Sequence, residues 1–257
     1  MRRTLRPPAA LAMVALLSAG CSNAAAETGT GSNGGNKNAA NQSGTAPPCT
    51  PVLLSDPRVS AVPVRENGEP LAELDELFGP TRARVRVSLA GRLVVARENL
   101  PPGVGLRVVD GYRTAAAQRA IISSYTARLR ECHPTIGAAE LERLTSRFVA
   151  PLAVAPHVSG AAVDVTLVDS AGRDLDLGTP IDATPEQSKG ACYFDAPQVS
   201  GQARANRQLL ARVLSDAGLV NYSTEWWHWS YGDRYWALMT GAPAALYGPV
   251  GRQSGRR

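Results

Sequence analysis

Histidine is scarce in this chain: 257 residues hold three, alongside four tryptophans and three phenylalanines. Any imidazole chemistry must come from His133, His157 and His228. Closely paired cysteines are missing as well. Cys49, Cys132 and Cys192 stand far apart, whereas a zinc knuckle wants cysteines roughly two to four residues apart. No apolar run approaches the roughly 20 residues that span a bilayer as a helix. No internal repeat is visible. A basic stripe with interleaved aromatics is also lacking, which speaks against nucleic acid as a partner.

The formal charge of +5 overstates the basic character. Arg2, Arg3 and Arg6 precede an apolar run from Ala9 to Leu17 and then Ser18-Ala19-Gly20-Cys21. A basic start, a short apolar middle and small residues before a cut define a signal peptide over residues 1–20. Without it, 24 basic and 22 acidic residues remain, a balance of +2. Cysteine directly after Gly20 suggests a lipobox, so the expected mature chain begins at a lipid-modified Cys21 and is held on the outer side of the cell membrane. Ser18 stands where a leucine is usual, with Leu17 one step further out, and plain secretion stays open as the alternative.

Residues 21–48 are rich in Gly, Asn, Ala, Thr and Ser and read as a flexible tether. Residues 49–247 have globular composition and suffice for one domain. Residues 248–257, with Arg252, Arg256 and Arg257, read as a loose basic tail. In an oxidising compartment one disulfide among Cys49, Cys132 and Cys192 is expected. Three pairings are open.

Within the domain, Arg84–Leu89 alternates polar and apolar residues as a half-buried strand does. Ala90-Gly91 would turn it into Leu93-Val94-Val95. Leu106–Val109 is a short strand, and Thr114 opens an Ala-rich helix to about Leu129. A second helix covers Ala138–Phe148, and a third covers Ala203–Ala217 with Gly218 as its stop. Val163–Val168 is a strand whose one face carries Ala162, Asp164 and Thr166. Trp226–Trp229 is aromatic and extended. Strands and helices do not alternate regularly, so the fold class is α+β: one domain, a mainly antiparallel sheet and flanking helices.

Two stretches carry chemistry. Glu225-Trp226-Trp227-His228-Trp229 sets a carboxylate beside an imidazole, and His157-Val-Ser-Gly160-Ala-Ala-Val-Asp164 supplies a second pair. Two histidines and one carboxylate are a ligand set for an open catalytic zinc site at the sheet, with a spare carboxylate as base. Glu225 and His228 are three apart, on opposite faces of a regular strand, so the chain must turn at Glu225 or begin its strand after it. Arg113, in Asp110-Gly111-Tyr112-Arg113 between a strand and a helix, could stabilise an oxyanion; a surface salt bridge is the plainer alternative. The tryptophans are core candidates, and His133, before Pro134, is a loop residue.

Taken together, His157-x6-Asp164 with Gly160 between, Glu225-Trp-Trp-His228 and Gly111-Tyr112-Arg113 resemble the zinc D-alanyl-D-alanine dipeptidases of the vancomycin-resistance type. The likeness runs from about Pro63 to Trp236. It implies one Zn²⁺ on His157, Asp164 and His228, Glu225 as general acid/base and Arg113 as transition-state stabiliser. It also implies Asp182, in Gly178-Thr179-Pro180-Ile181-Asp182, as the anchor of the substrate ammonium; a turn-capping role is the alternative there. The family often has Ser two residues before the first His, where this chain has Ala155. The implied reaction is hydrolysis of D-Ala-D-Ala to two D-Ala. Because the chain reads as exported, the expected setting is cell-wall peptide turnover or scavenging. The alternatives are a DD- or LD-carboxypeptidase on peptidoglycan stem peptides, and a non-catalytic cell-wall-binding lipoprotein.

Overall fold

A computed structural model describes residues 50–251. The signal stretch, Cys21, the tether, Cys49 and the arginines at 252–257 lie outside the described residues. The chain enters through α1 (Pro57–Ala61), capped by Asp56, whose side chain accepts from the Arg58 amide. Strands β1 (Leu71–Glu73) and β2 (Arg84–Arg86) then pair antiparallel.

After β2 the chain departs from the expected hairpin over 84–95. It turns helical as α2 (Val87–Glu98). Leu89, Leu93 and Ala96 recur at helical spacing and are fully buried, while Val87, Val94 and Val95 are 44–48% exposed. Outward-facing valines gave the stretch its strand-like composition, but burial follows the 3.6-residue period. Gly91, read as a turn, sits inside this helix with open space where a side chain would be. Its cost there is about 1 kcal/mol relative to alanine.

The remaining elements follow the sequence closely. They are β3 (Val104–Asp110), α3 (Ala115–Cys132), α4 (Ala138–Ser146), β4 (Ala162–Asp169), α5 (Gly201–Asp216), β5 (Val220–Asn221), β6 (His228–Ser230) and α6 (Arg234–Thr240). Thr114 caps α3 by accepting from the Ala117 amide at 3.1 Å. Ser200 caps α5 in the same way through Ala203. Gly218, at φ +84°, follows the end of α5. Trp226 and Trp227 lie in a turn before β6, so the extended stretch is shorter than its aromatic run.

The main sheet has the order β3-β4-β6-β5, antiparallel throughout. Central β4 is buried on both faces from Ala162 to Leu167. Val163, Val165 and Leu167 join Leu106, Val108, Leu210 and all three tryptophans of the 226–229 stretch in one core. Helix α2 packs on α5, and α3 packs on α4. The domain is α+β with antiparallel sheets flanked by helices. Among the described residues no helix is long and apolar enough to cross a membrane.

Cys192 is a free, buried thiol, which removes two of the three disulfide pairings. Cys132 is disulfide-bonded. The segment expected to be loose from residue 248 is held further on: the Gly248 amide donates to Glu66 at 2.6 Å and the Val250 amide to the Val158 carbonyl at 3.0 Å.

Candidate metal centre

Register brings the first two site residues together. In the β4–β6 pair Asp164 lies directly across from His228, so their side chains share one face. His157 arrives from the 3-10 turn Pro156–Ser159, which Gly160 closes at φ +68°. Only glycine suits that position. Its conformation is left-handed, and a Cβ there would meet Leu71 Cδ2 at 2.4 Å.

The three donor atoms form a compact triangle. His157 Nε2 and His228 Nδ1 are 3.1 Å apart, and Asp164 Oδ1 lies 3.1 Å from His228 Nδ1 and 3.4 Å from His157 Nε2. Bonds of about 2.0–2.1 Å to a tetrahedral ion put neighbouring donors roughly 3.4 Å apart. The triangle therefore fits a small four-coordinate cation with one position left open. These residues are the one cluster of three or more potential ligands among the described residues, and all three are buried. The His157 Nδ1–H donates to the Gly111 carbonyl at 2.7 Å, which leaves Nε2 as the lone-pair nitrogen.

Glu225 stands beside the triangle but outside it, with Oε2 3.9 Å from His228 Nδ1. The strand-face difficulty is resolved locally. Glu225 occupies a turn before β6, its amide bonded to the Tyr222 carbonyl at 2.8 Å and its carbonyl accepting from His228 at 3.3 Å. The Asn221 side chain donates to the same carbonyl at 2.9 Å.

Arg113 is buried, not a surface ion pair. Asp110 Oδ2 accepts from its Nη2 at 2.6 Å and its Nε at 3.2 Å, and Gln118 accepts from Nη1 at 2.9 Å. Its Nη2 reaches within 3.9 Å of Asp164 Oδ2. A register shift between Val108 and Asp110 sets Asp110 opposite Asp164. Such a bulge re-aims a strand end, here toward Gly111 and Arg113. Asp182 lies in a turn at φ +65° and lines one pocket with Arg113, His157, Asp164, Glu225 and His228. His133 is the exposed residue after α3, apart from this pocket. Cys21 lies outside the described residues.

Sequence reasoning passed over Gln118. It sits on the buried stripe of α3 with Ile121, Tyr125 and Leu129, and a polar residue in an apolar stripe is the signal that marks it. It also gave no role to Leu54, Phe148, Val149 and Tyr222, which wall the pocket. Those apolar side chains carry no motif.

Six ionisable groups packed this closely perturb each other. Burial raises the Glu225 carboxyl well above 4.5, and the charges of Asp164 and Asp182 add to that shift. Burial likewise lifts Asp182 to about 7, reinforced by Asp164. Asp164 moves the other way: burial would raise it, but its two imidazole neighbours outweigh burial and hold it low. His157 is raised above 6.5, because Asp164 overcomes the effect of burial. His228 is lowered, chiefly by burial. Arg113 is raised against burial by Asp110 and Asp164. A cation on the triangle would displace the proton held between His157 and Asp164.

Two imidazoles and a carboxylate converging beside a free carboxyl and a buried guanidinium make up the centre of a metallopeptidase. The model of the D-Ala-D-Ala dipeptidase family matches residues 83–240, and the chain belongs to that family. A D-alanyl-D-alanine dipeptidase from Synechocystis is 26% identical over 216 residues, covering 69% of this chain and 87% of the relative. One from Enterococcus faecium is 30% identical over 152 residues, covering 56% of this chain and 71% of the relative. Among solved structures, the vancomycin-resistance D,D-pentapeptidase VanY, in complex with Zn(II), aligns at 18% identity and a TM-score of 0.40, covering 72% of this chain and 90% of that one.

Proposed function

We propose that this protein is a zinc dipeptidase that hydrolyses D-alanyl-D-alanine to two D-alanine. His157, Asp164 and His228 would hold one Zn²⁺, since two imidazoles, one carboxylate and a fourth open position are a catalytic zinc set. When bound, the ion supplies Lewis acidity for attack of water on the peptide carbonyl. Glu225 takes a proton from the attacking water and passes it to the amine nitrogen as the C–N bond breaks. Burial makes its carboxylate a stronger base than a solvated one. Arg113, held by Asp110 and Gln118, donates to the carbonyl oxygen as that oxygen gains negative charge. The Asp182 carboxylate receives the free ammonium of the dipeptide.

The observation that carries the reading is the shared pocket: Asp182 lines the same pocket as Glu225 and the donor triangle. An acid among the pocket's lining residues suits a substrate ending in an ammonium and disfavours a longer peptide. The names of the Synechocystis and Enterococcus faecium relatives support the same reaction. The test is an assay of free D-Ala-D-Ala beside a stem pentapeptide, before and after chelation. Hydrolysis of the dipeptide alone, abolished by chelator and restored by zinc, is expected. Release of D-Ala from the pentapeptide alone would replace this reading with a carboxypeptidase.

The proposed setting is outside the cytoplasm, on a lipid anchor at Cys21, in cell-wall peptide turnover or scavenging. The Arg2–Leu17 pattern and the Gly20-Cys21 step support it. Mass spectrometry of the mature N-terminus should find a diacylglyceryl group on Cys21. An uncleaved Met1 would rule the anchor out.

A further inference from the structure

Six buried side-chain polar atoms among the described residues have no hydrogen-bond partner, and five of them crowd the segment around His228. They are Nε2 of His228 itself, the hydroxyls of Ser223, Thr224 and Ser230, and Oδ2 of Asp233. Buried polar atoms are nearly always paired, so five orphans in one place need a physical account.

The His228 ring explains part of it. Its Nδ1 faces Asp164 and His157. If Nδ1 offers its lone pair to a cation, the proton of the neutral ring sits on Nε2, on the far side. The orphan is then an N–H donor at 4% exposure. His157 settles the same need by donating Nδ1–H to the Gly111 carbonyl; His228 has no such carbonyl in place.

Asp233 offers the matching acceptor. Its Oδ1 accepts from the Trp236 amide at 2.8 Å and caps α6. Its Oδ2 is free, in a residue only 2% exposed. Ser230 lies two residues beyond His228 on β6, so their side chains share one strand face, and Asp233 follows as the cap of α6. The Ser230 hydroxyl leans on the Asp233 carboxylate but falls short of hydrogen-bond geometry. A donor, a carboxylate oxygen and a hydroxyl, all buried and all without a hydrogen-bond partner, are three partners for one internal water.

We propose that Asp233 is the positioning residue of the metal centre, taking the His228 Nε2–H through one internal water that Ser230 also holds. A carboxylate behind a ligating histidine fixes its tautomer and ring plane and strengthens it as a donor. The inference rests on the reading of His228 as a metal ligand.

The test uses the full chain and inorganic zinc. Asp233→Asn keeps an oxygen to cap α6 and puts an amide where the free oxygen was. Competition against a chromophoric chelator should show zinc bound about 10–100-fold more weakly, while the metal-free protein melts no lower than the parent. Ser230→Ala should weaken zinc binding in the same direction and by less. In ¹⁵N spectra of the zinc-loaded parent, His228 should carry its proton on Nε2 in slow exchange with solvent, and Asp233→Asn should speed that exchange. Zinc affinity of Asp233→Asn within twofold of the parent, or a parent His228 with no proton on Nε2, would overturn the assignment. A parent that binds no zinc would overturn the metal centre itself, a separate result. Should Asp233→Asn fail to fold, the parent spectrum and Ser230→Ala decide on the same criteria.

Discussion

Glu225 and its neighbours behave as one electrostatic unit, and single changes test its parts. Glu225→Gln should lower kcat by about 10²–10⁴-fold, the range of a lost general base, with zinc content unchanged by metal analysis. Gln118→Ala leaves Arg113 with Asp110 alone. Because sub-ångström misplacement is costly, kcat/KM should fall by up to about 10²-fold, again with zinc retained. The metal affinity should depend on pH in a defined direction. His157 is raised above 6.5 by Asp164, so below that raised pKa a proton must leave before a cation enters. Zinc affinity should rise with pH, by about tenfold per unit up to the His157 pKa, and then level off. Calorimetric or competition titrations between pH 5 and 9 would show the slope. A flat profile would mean that His157 is no ligand.

At the scale of elements, Gly160 is the joint that lets the His157 turn meet β4. Gly160→Ala combines left-handed strain with a clash on Leu71. It should cost about 1–3 kcal/mol in chemical denaturation and lower zinc content together with stability. The helices α3, α4 and α5 were legible because their buried residues keep the helical period and their caps are ordinary Thr, Gly and Ser positions. Helix α2 was not. A run of β-branched residues around Gly91 imitates a hairpin, and what decides the matter is the contact of Leu89 and Leu93 with a core assembled from distant segments. The cluster of His157, Asp164 and His228, with Glu225 beside it, was legible because each residue sits in a short motif. Gln118 and the Asp233 oxygen were not, since Gln118 lies in the interior of α3 and Asp233 at the cap of α6, both outside the two short motifs. The turn at Glu225 was foreseen only as one of two options, and the chain turns there with β6 beginning three residues later at His228.

For the whole molecule, the cation should act as a fold ligand as well as a reagent. With free zinc about a hundredfold above its Kd, removal by chelator should lower the melting temperature by about 5–10 °C, which differential scanning calorimetry would read. No shift would place the ion outside the folded core. The first described residues also matter beyond their position in the chain. The Leu54 amide donates to the Tyr222 hydroxyl at 3.1 Å, that hydroxyl bonds the Ser146 carbonyl, and Leu54 and Tyr222 both wall the pocket. Two of the three donors are rooted differently: Asp164 and His228 are locked by strand register in the buried sheet, while Asp182, Phe148 and Leu54 hang on connections. Most of the grip on the ion is thus bolted to the chassis, and selectivity rides on exchangeable fittings. Grafting the 148–155 and 176–184 connections from a relative with other tastes should retrain what this catalyst accepts while its grip on the ion stays as it was.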